Sequence, residues 1–384
     1  MVRETEKSNG VVEEKKVSWL ELFFDLVFVT AVSFTTHLLA EIDHHPDQMV
    51  FYLGEYLLMV FPMFWLWSGQ TMLLNRFGEH LPRPALFMLP QMFFFILMTA
   101  SLDFEFSHTY HSYLGGYLGL RILTICQYFR VSRKLSGSQK NVALTLGRLF
   151  LPGVLLPLAS PLFPGVWHYV AMYAGMAADM ALPLFYGRTL ARAPVNMAHL
   201  AERFGLFVLI TFGEALVSIA NILVGHTADV QTVIFALMGF GLISILWSSY
   251  FYAYENVIDH HLKTNGQFLL YGHFIVLVAV MMLAGGIELI HEGHLPKPVL
   301  LALLYGPVMV FLAVANIVFF HHRKRNEPSH MMETALVLVG LGLAFLGNFA
   351  VNLTMWSNLT AVIIGCGLEL LLKRDGPGKF FQGP

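Results

Sequence analysis

Apolar residues in this chain come in blocks about 20 long, parted by short polar joints, and the blocks recur almost to the end. A helix needs about 20 such residues to cross the hydrocarbon core of a bilayer, so each block predicts one transmembrane helix. The blocks cover residues 19–41, 48–74, 84–103, 110–130, 141–162, 165–187, 197–224, 230–254, 266–290, 298–320, 331–352 and 355–372. The expected fold is all-α: a polytopic membrane helix bundle of twelve spans. The joints are mostly under a dozen residues, which makes consecutive spans antiparallel neighbours.

The joints alternate in charge. Arg3, Lys7, Lys15, Lys16, Arg76, Arg83, Arg130, Arg133, Lys134, Lys140, Arg188, Arg192, Arg203, Lys263, Arg323, Lys324, Arg325, Lys373, Arg374 and Lys379 all fall on one set of connections. That is 20 of the 23 basic residues; the opposite set holds only Lys297, and Arg121 and Arg148 lie within spans. Lys and Arg are retained on the cytoplasmic side of a membrane, so the expectation is a plasma-membrane protein with both termini inside. Residues 1–18, polar and of mixed charge, read as a cytoplasmic tail rather than a cleaved signal peptide, and residues 374–384 as a second tail.

Composition agrees. The 384 residues are 56% hydrophobic and 12% charged, against about 25% charged in an ordinary soluble domain, too few to cover a water-exposed surface. Cys126 and Cys366 both lie in spans, so no disulfide framework is implied. The net charge of −2 and the lack of a basic stripe with interleaved aromatics give no sign of nucleic-acid binding. Lipids are the expected partners; oligomerisation is left open.

The two halves resemble each other. Glu21-Leu-Phe-Phe-Asp-Leu-Val-Phe-Val-Thr30 aligns with Glu202-Arg-Phe-Gly-Leu-Phe-Val-Leu-Ile-Thr211, and Leu66-Trp67-Ser68 with Leu246-Trp247-Ser248. In the same order, Leu102-Asp103 matches Ile287-Glu288, Arg133-Lys134 matches Arg323-Lys324, and Gly175 with Asp179 matches Gly365 with Glu369. This predicts a duplication, with repeats at 19–188 and 189–373. Six spans per repeat give both halves one orientation, related by an axis along the membrane normal. Span five holds Arg148, Pro152-Gly153, Pro157 and Pro161, and its counterpart holds Gly340, Gly342, Gly347 and Asn348. Interrupted helices at matching places in two repeats point to a solute site at mid-membrane.

Charges within spans are the candidate chemistry, since each costs about 2.5–3.5 kcal/mol to insert. Glu21 and Asp25 lie four apart on one helical face; Arg121, Arg148, Asp179 and Glu214 follow in later spans, and Glu202 and Arg203 open span seven. Arginine keeps its proton, so Arg121 and Arg148 should pair with carboxylates, Asp25, Asp179 or Glu214 being available. Such pairs either fix helix register or serve transport. Glu214, beside Gly213, is the best candidate for exchanging a proton with a passing solute or ion.

Other signals are weaker. The pairs His44-His45, His260-His261 and His321-His322, and His291 with His294, have no metal-binding spacing and read as interfacial. The aromatic clusters at Phe61–Trp67, Phe93–Phe95 and Tyr250–Tyr254 read as lipid contacts and interface belts. No nucleotide loop, nucleophile elbow or haem motif occurs, so neither a cofactor nor catalysis is expected.

Through Ser18-Trp-Leu-Glu21-Leu-Phe-Phe-Asp25-Leu-Val-Phe-Val29, His199-Leu-Ala-Glu202-Arg203-Phe-Gly-Leu-Phe207 and Gly213-Glu214, the sequence resembles the bacterial low temperature requirement A family. Tyr117 and Arg121 add a local match, and Phe212 and Ala215 stand where the family pattern has Leu and Ser. The resemblance, from Ser18 to Lys373, implies an integral membrane protein and highlights Glu21, Asp25, Glu202, Arg203 and Glu214. It supplies no substrate. The leading expectation is a secondary transporter of a small solute or ion, with proton coupling as one form of it. The alternatives are an ion channel built from two repeats, or a lipid-acting enzyme or scaffold using Asp103, Glu105, His108 and His111.

Overall fold

A computed structural model describes residues 16–379 except 45–47, 104, 228 and 326. Most of the expected first tail, the end of the second and His45 lie outside the described residues. The described residues form an all-helical fold. The helices are α1 (Trp19–Ala40), α2 (Met49–Phe77), α3 (Ala85–Thr99), α4 (Phe106–Ser132), α5 (Gly137–Leu149), α6 (Pro152–Ala159) and α7 (Trp167–Phe185). They continue with α8 (Gly187–Leu190), α9 (Met197–Leu223), α10 (Val230–Asn256), α11 (Gln267–Glu292), α12 (Lys297–His321), α13 (Met331–Gly347) and α14 (Met355–Lys379).

Every expected span is occupied by helix, but among the described residues eight helical segments are long and apolar enough to cross a membrane. Helices α3 and α13 are apolar but have only 15 and 17 residues. Helix α4 is diluted by His108, His111, Arg121, Gln127 and Arg130, and α7 by His168 and Asp179. The expected interruption of span five is present: α5 stops at Leu149 and α6 starts at Pro152, where proline supplies no N–H to continue the ladder. Span eleven differs. Gly340 and Gly342 lie within a continuous α13, which ends at Gly347.

Local chemistry sets the helix ends. Ser18 and Glu21 form a capping box on α1: the Ser18 N–H donates to Glu21 Oε2 (2.9 Å) and the Glu21 N–H to Ser18 Oγ (3.3 Å). The side chains of Asn196 and Asp229 accept from the first-turn N–H groups of α9 and α10. Gly293, at φ 71°, closes α11 in the left-handed conformation that glycine adopts without a Cβ clash.

Helix α1 lies centrally, packed on α2, α3, α9 and α11. The connections sort to two ends, as their charges predict. At the basic end, Arg76 after α2 donates to the carbonyls of Ala193 and Asn265, and Ile258 bridges to Arg323. At the other end, His294 meets Asp43 (2.8 Å) and Lys297 donates to the Leu353 carbonyl (2.5 Å). Leu155, Leu162, Trp167, Leu336, Val339 and Leu343 are among the large apolar side chains left on the outside, the surface a bilayer covers.

The aromatic clusters are corrected in part: Phe93 faces outward at 65% exposure, as a lipid contact should, but several of the others do not. Phe64, Trp65 and Trp67 are interior, at 6%, 4% and 0% exposure, and so are Phe95 and Tyr250. Two of the indoles face inward because they donate to buried carboxylates.

Candidate functional site

The first cluster joins α1, α2 and α9. Four-residue spacing puts Glu21 and Asp25 on one face of α1, and the same spacing puts His199 and Arg203 on one face of α9. Arg203 spans the two acids: Nη1 is 3.0 Å from Glu21 Oε1 and Nη2 is 2.5 Å from Asp25 Oδ1. The Trp67 indole donates to the same Asp25 oxygen at 2.7 Å. The His199 tautomer follows from its neighbours. Asn75 Oδ1 accepts the Asn196 N–H (2.9 Å), which orients the amide so that Nδ2 donates to His199 Nδ1 (3.0 Å). The proton of a neutral ring then sits on Nε2, 3.2 Å from Glu21 Oε1. All four side chains are buried, and Asp25 Oδ2 and Arg203 Nε have no hydrogen-bond partner among the described residues.

One helical turn deeper is a narrow apolar cavity between α1, α2, α9 and α11, lined by Phe28, Val32, Thr35, Phe64, Phe207 and Met281. Phe28, Phe64 and Phe207 stand three or four residues from Asp25, Trp67 and Arg203, so the cavity lies next to the ion cluster along the same helices, although its own lining is apolar apart from Thr35.

The second cluster joins α2, α4 and α7. Arg121 Nη2 is 2.5 Å from Asp179 Oδ2, both fully buried. That oxygen also accepts from the Trp65 indole (3.0 Å) and the Tyr117 hydroxyl (3.5 Å). Phe150, at the break between α5 and α6, lies under the guanidinium with its ring centroid 3.9 Å from Cζ. Two glycines make room: a Cβ on Gly153 would come within 2.5 Å of Asp179 Cβ, and one on Gly69 within 2.5 Å of Arg121 Nη1.

Of the expected site residues, Glu21, Asp25 and Arg203 come together, and Arg121 selects Asp179. Arg203, counted among the basic joints, is wholly buried inside α9. Arg148 is exposed in the last turn of α5 and forms no ion pair among the described residues. Its long stem lets the charge leave the apolar layer, so the expected carboxylate partner is not needed. Glu202 is half-buried beside the cluster, turned from it by one residue of helix. Glu214 is buried on α9, three turns beyond Arg203.

Sequence reasoning did not single out several buried polar groups as site residues. His199 was findable as the residue one turn before Arg203. Gln70, Gln91 and Gln127 join α2, α3 and α4 through a fully buried ring of amide hydrogen bonds. Glu369 on α14 pairs with Lys373 one turn on, and accepts from Ser249 and Asn316. At the other end Asp43, Glu292 and His294 bring ligand atoms within 4.8 Å of one another, although the spacing of the histidines alone suggested no metal framework. Glu105 and His108, from the cluster proposed for lipid chemistry, are 3.4 Å apart and largely exposed.

The profile of the bacterial low temperature requirement A protein family matches residues 16–366. An uncharacterized protein of Rhizobium meliloti (strain 1021) is 26% identical over 378 residues, covering 92% of this chain and 88% of its own. No solved structure matches.

Proposed function

This chain belongs to the bacterial low temperature requirement A family of multi-pass membrane proteins, and from that premise we propose that it is a proton-coupled secondary transporter of a small solute or ion. In this reading it has twelve spans in two six-helix repeats, lies in the plasma membrane with both termini inside, and meets lipid along its exposed apolar belt. It uses no cofactor and catalyses no covalent step.

The carrying observation is the Arg203 bridge. It ties the first helix of one repeat to the first helix of the other, about one helical turn from the apolar cavity between them. Alternating access needs a joint of this kind, where two halves meet around a fixed site. Asp25 Oδ2 and Arg203 Nε offer the bridge an unused acceptor and donor for a polar solute. The repeat reading is supported by matching acids. Asp179 of α7 is held by α2 and α4, and Glu369 of α14 by α10 and α12. The inward orientation is supported by the gathering of basic joints at one end of the bundle. Glu214 is assigned to carry the coupled proton.

The test uses purified protein in liposomes with an internal pH dye, challenged with amino acids, sugars, organic cations and organic anions in turn. At least one class should move protons above the protein-free background, and Asp25→Asn and Glu214→Gln should each lower that signal tenfold or more. A background signal with every class would remove the transport reading. A wild-type signal in Glu214→Gln would remove Glu214 alone.

A further inference from the structure

Asp179 and Glu369 occupy corresponding places in the two halves, yet their partners differ in chemistry. Asp179 faces an arginine, an indole N–H and a phenol. The guanidinium does not release its proton and the indole only donates, so these two partners favour the ionised form of this acid. Glu369, also fully buried, faces a lysine and two aliphatic hydroxyls. Lys373 Nζ lies 2.5 Å from Glu369 Oε1 and donates to Ser249 Oγ at 2.9 Å. Ser249 Oγ donates to Glu369 Oε2 (2.8 Å), Thr334 Oγ1 to Oε1 (3.4 Å) and Asn316 Nδ2 to Oε1 (2.9 Å).

Lysine can give up its proton, and a hydroxyl donates or accepts by rotation. The carboxylate and the carboxylic acid therefore both find partners here without any helix moving. Lys373 is only 5% exposed, but with Asn316, Arg323 and His330 it lines a crevice at the basic end of the bundle. Among the described residues the groups facing Glu369 are few. They are Ser249 of α10, Asn316 of α12, Thr334 of α13 and, on α14 itself, Lys373 and the Cys366 thiol one turn back. Arg323 and His330 are the charged and titratable groups at the crevice.

We propose that Glu369 and Lys373 form a proton-exchange site reached from the basic end of the bundle. In the loading step the Lys373 N–H bond breaks as an O–H bond forms on Glu369 Oε1. The amine nitrogen then takes a proton from hydronium in the crevice. The pair gains one proton and one positive charge, and unloading reverses both transfers. Its use in coupling rests on the transport reading above; the exchange does not.

The experiment is infrared difference spectroscopy of the purified full chain in lipid nanodiscs, titrated from alkaline to acidic pH with protons as the only ligand. The expected result is a protonated-carboxyl band that grows on acidification and is absent from Glu369→Gln. In Lys373→Arg, which keeps the charge but cannot hand over a proton, the band should rise at least tenfold more slowly after a rapid jump to acidic pH. An unchanged band in Glu369→Gln overturns the proposal. So does a wild-type rate of rise in Lys373→Arg, which decides the matter should Glu369→Gln fail to fold. A titrating Glu369 band in protein that moves no solute class in liposomes would defeat the transport reading and leave this site standing. Transport without a Glu369 band would do the reverse.

Discussion

Arg203 and Arg121 are both buried cations, but they are neutralised differently. Arg121 faces one carboxylate, whereas Arg203 faces two, with His199 Nε2 3.2 Å from Glu21 Oε1 as a further contact. Breaking a buried pair by removing one partner costs about 3–5 kcal/mol, because the other charge is left uncompensated. Arg203→Met strands two carboxylates and Arg121→Met strands one. Arg203→Met is therefore expected to lower stability more, as read by unfolding of the purified protein in mixed micelles. Adding Glu21→Gln and Asp25→Asn to Arg203→Met should recover much of the loss. An additive penalty would show that the three charges do not act as one unit. Trp67→Phe tests the indole: a hydrogen bond to a charged group contributes about 1.5–3 kcal/mol, and the ring packing is otherwise kept.

Helix packing decides which of these charges meet. Blocks of apolar residues made the helices legible, since a bilayer leaves the backbone no other way to satisfy its hydrogen bonds. Prolines 152 and 157 made the break in span five legible too. Pairing was legible only in part. Asp179 was one of three carboxylates open to Arg121, and choosing it needs the rotation of α7 about its axis, which a linear pattern does not carry. Arg203 and Lys373 were read as joint residues because basic side chains near helix ends usually reach the headgroups; only the neighbouring helices reveal that both are covered. Gly153 gives a test of this packing. Gly153→Ala sets a methyl against the short Asp179 side chain, and overpacking of this kind costs about 1–3 kcal/mol. Gly69→Ala meets the far end of a longer arginine and should lower the thermal midpoint less. The α10 cap gives a pH test. The Thr232 hydroxyl, then the Gln231 and Thr232 N–H groups, hold the Asp229 carboxyl below the usual carboxylate range. A lowered folded pKa stabilises above the unfolded value, about 3.9, and that contribution fades as pH falls through the folded value. Asp229→Ala should therefore lower the thermal midpoint at neutral pH, with the difference from wild type shrinking below about pH 4.

The bundle presents a basic end and an end with few cations, and that asymmetry was readable from residue positions alone. In cells, a cysteine placed at Ser136, in the basic joint between α4 and α5, should react only with a membrane-permeant thiol reagent. A cysteine at His108 should react with an impermeant one. Reversed labelling would invert the orientation, and equal labelling would mean that the connections do not sort. The Arg203 bridge also bears on how the protein is made. Asp25 and Arg203 are 178 residues apart, and ribosomes add roughly 5–20 residues per second. Helix α1 thus waits on the order of 10–35 seconds for its counter-ion. During translation its two acids must stay protonated, linger at the lipid headgroups or shelter in the insertion machinery, so premature termination ahead of α9 should yield fragments that quality-control proteases clear quickly.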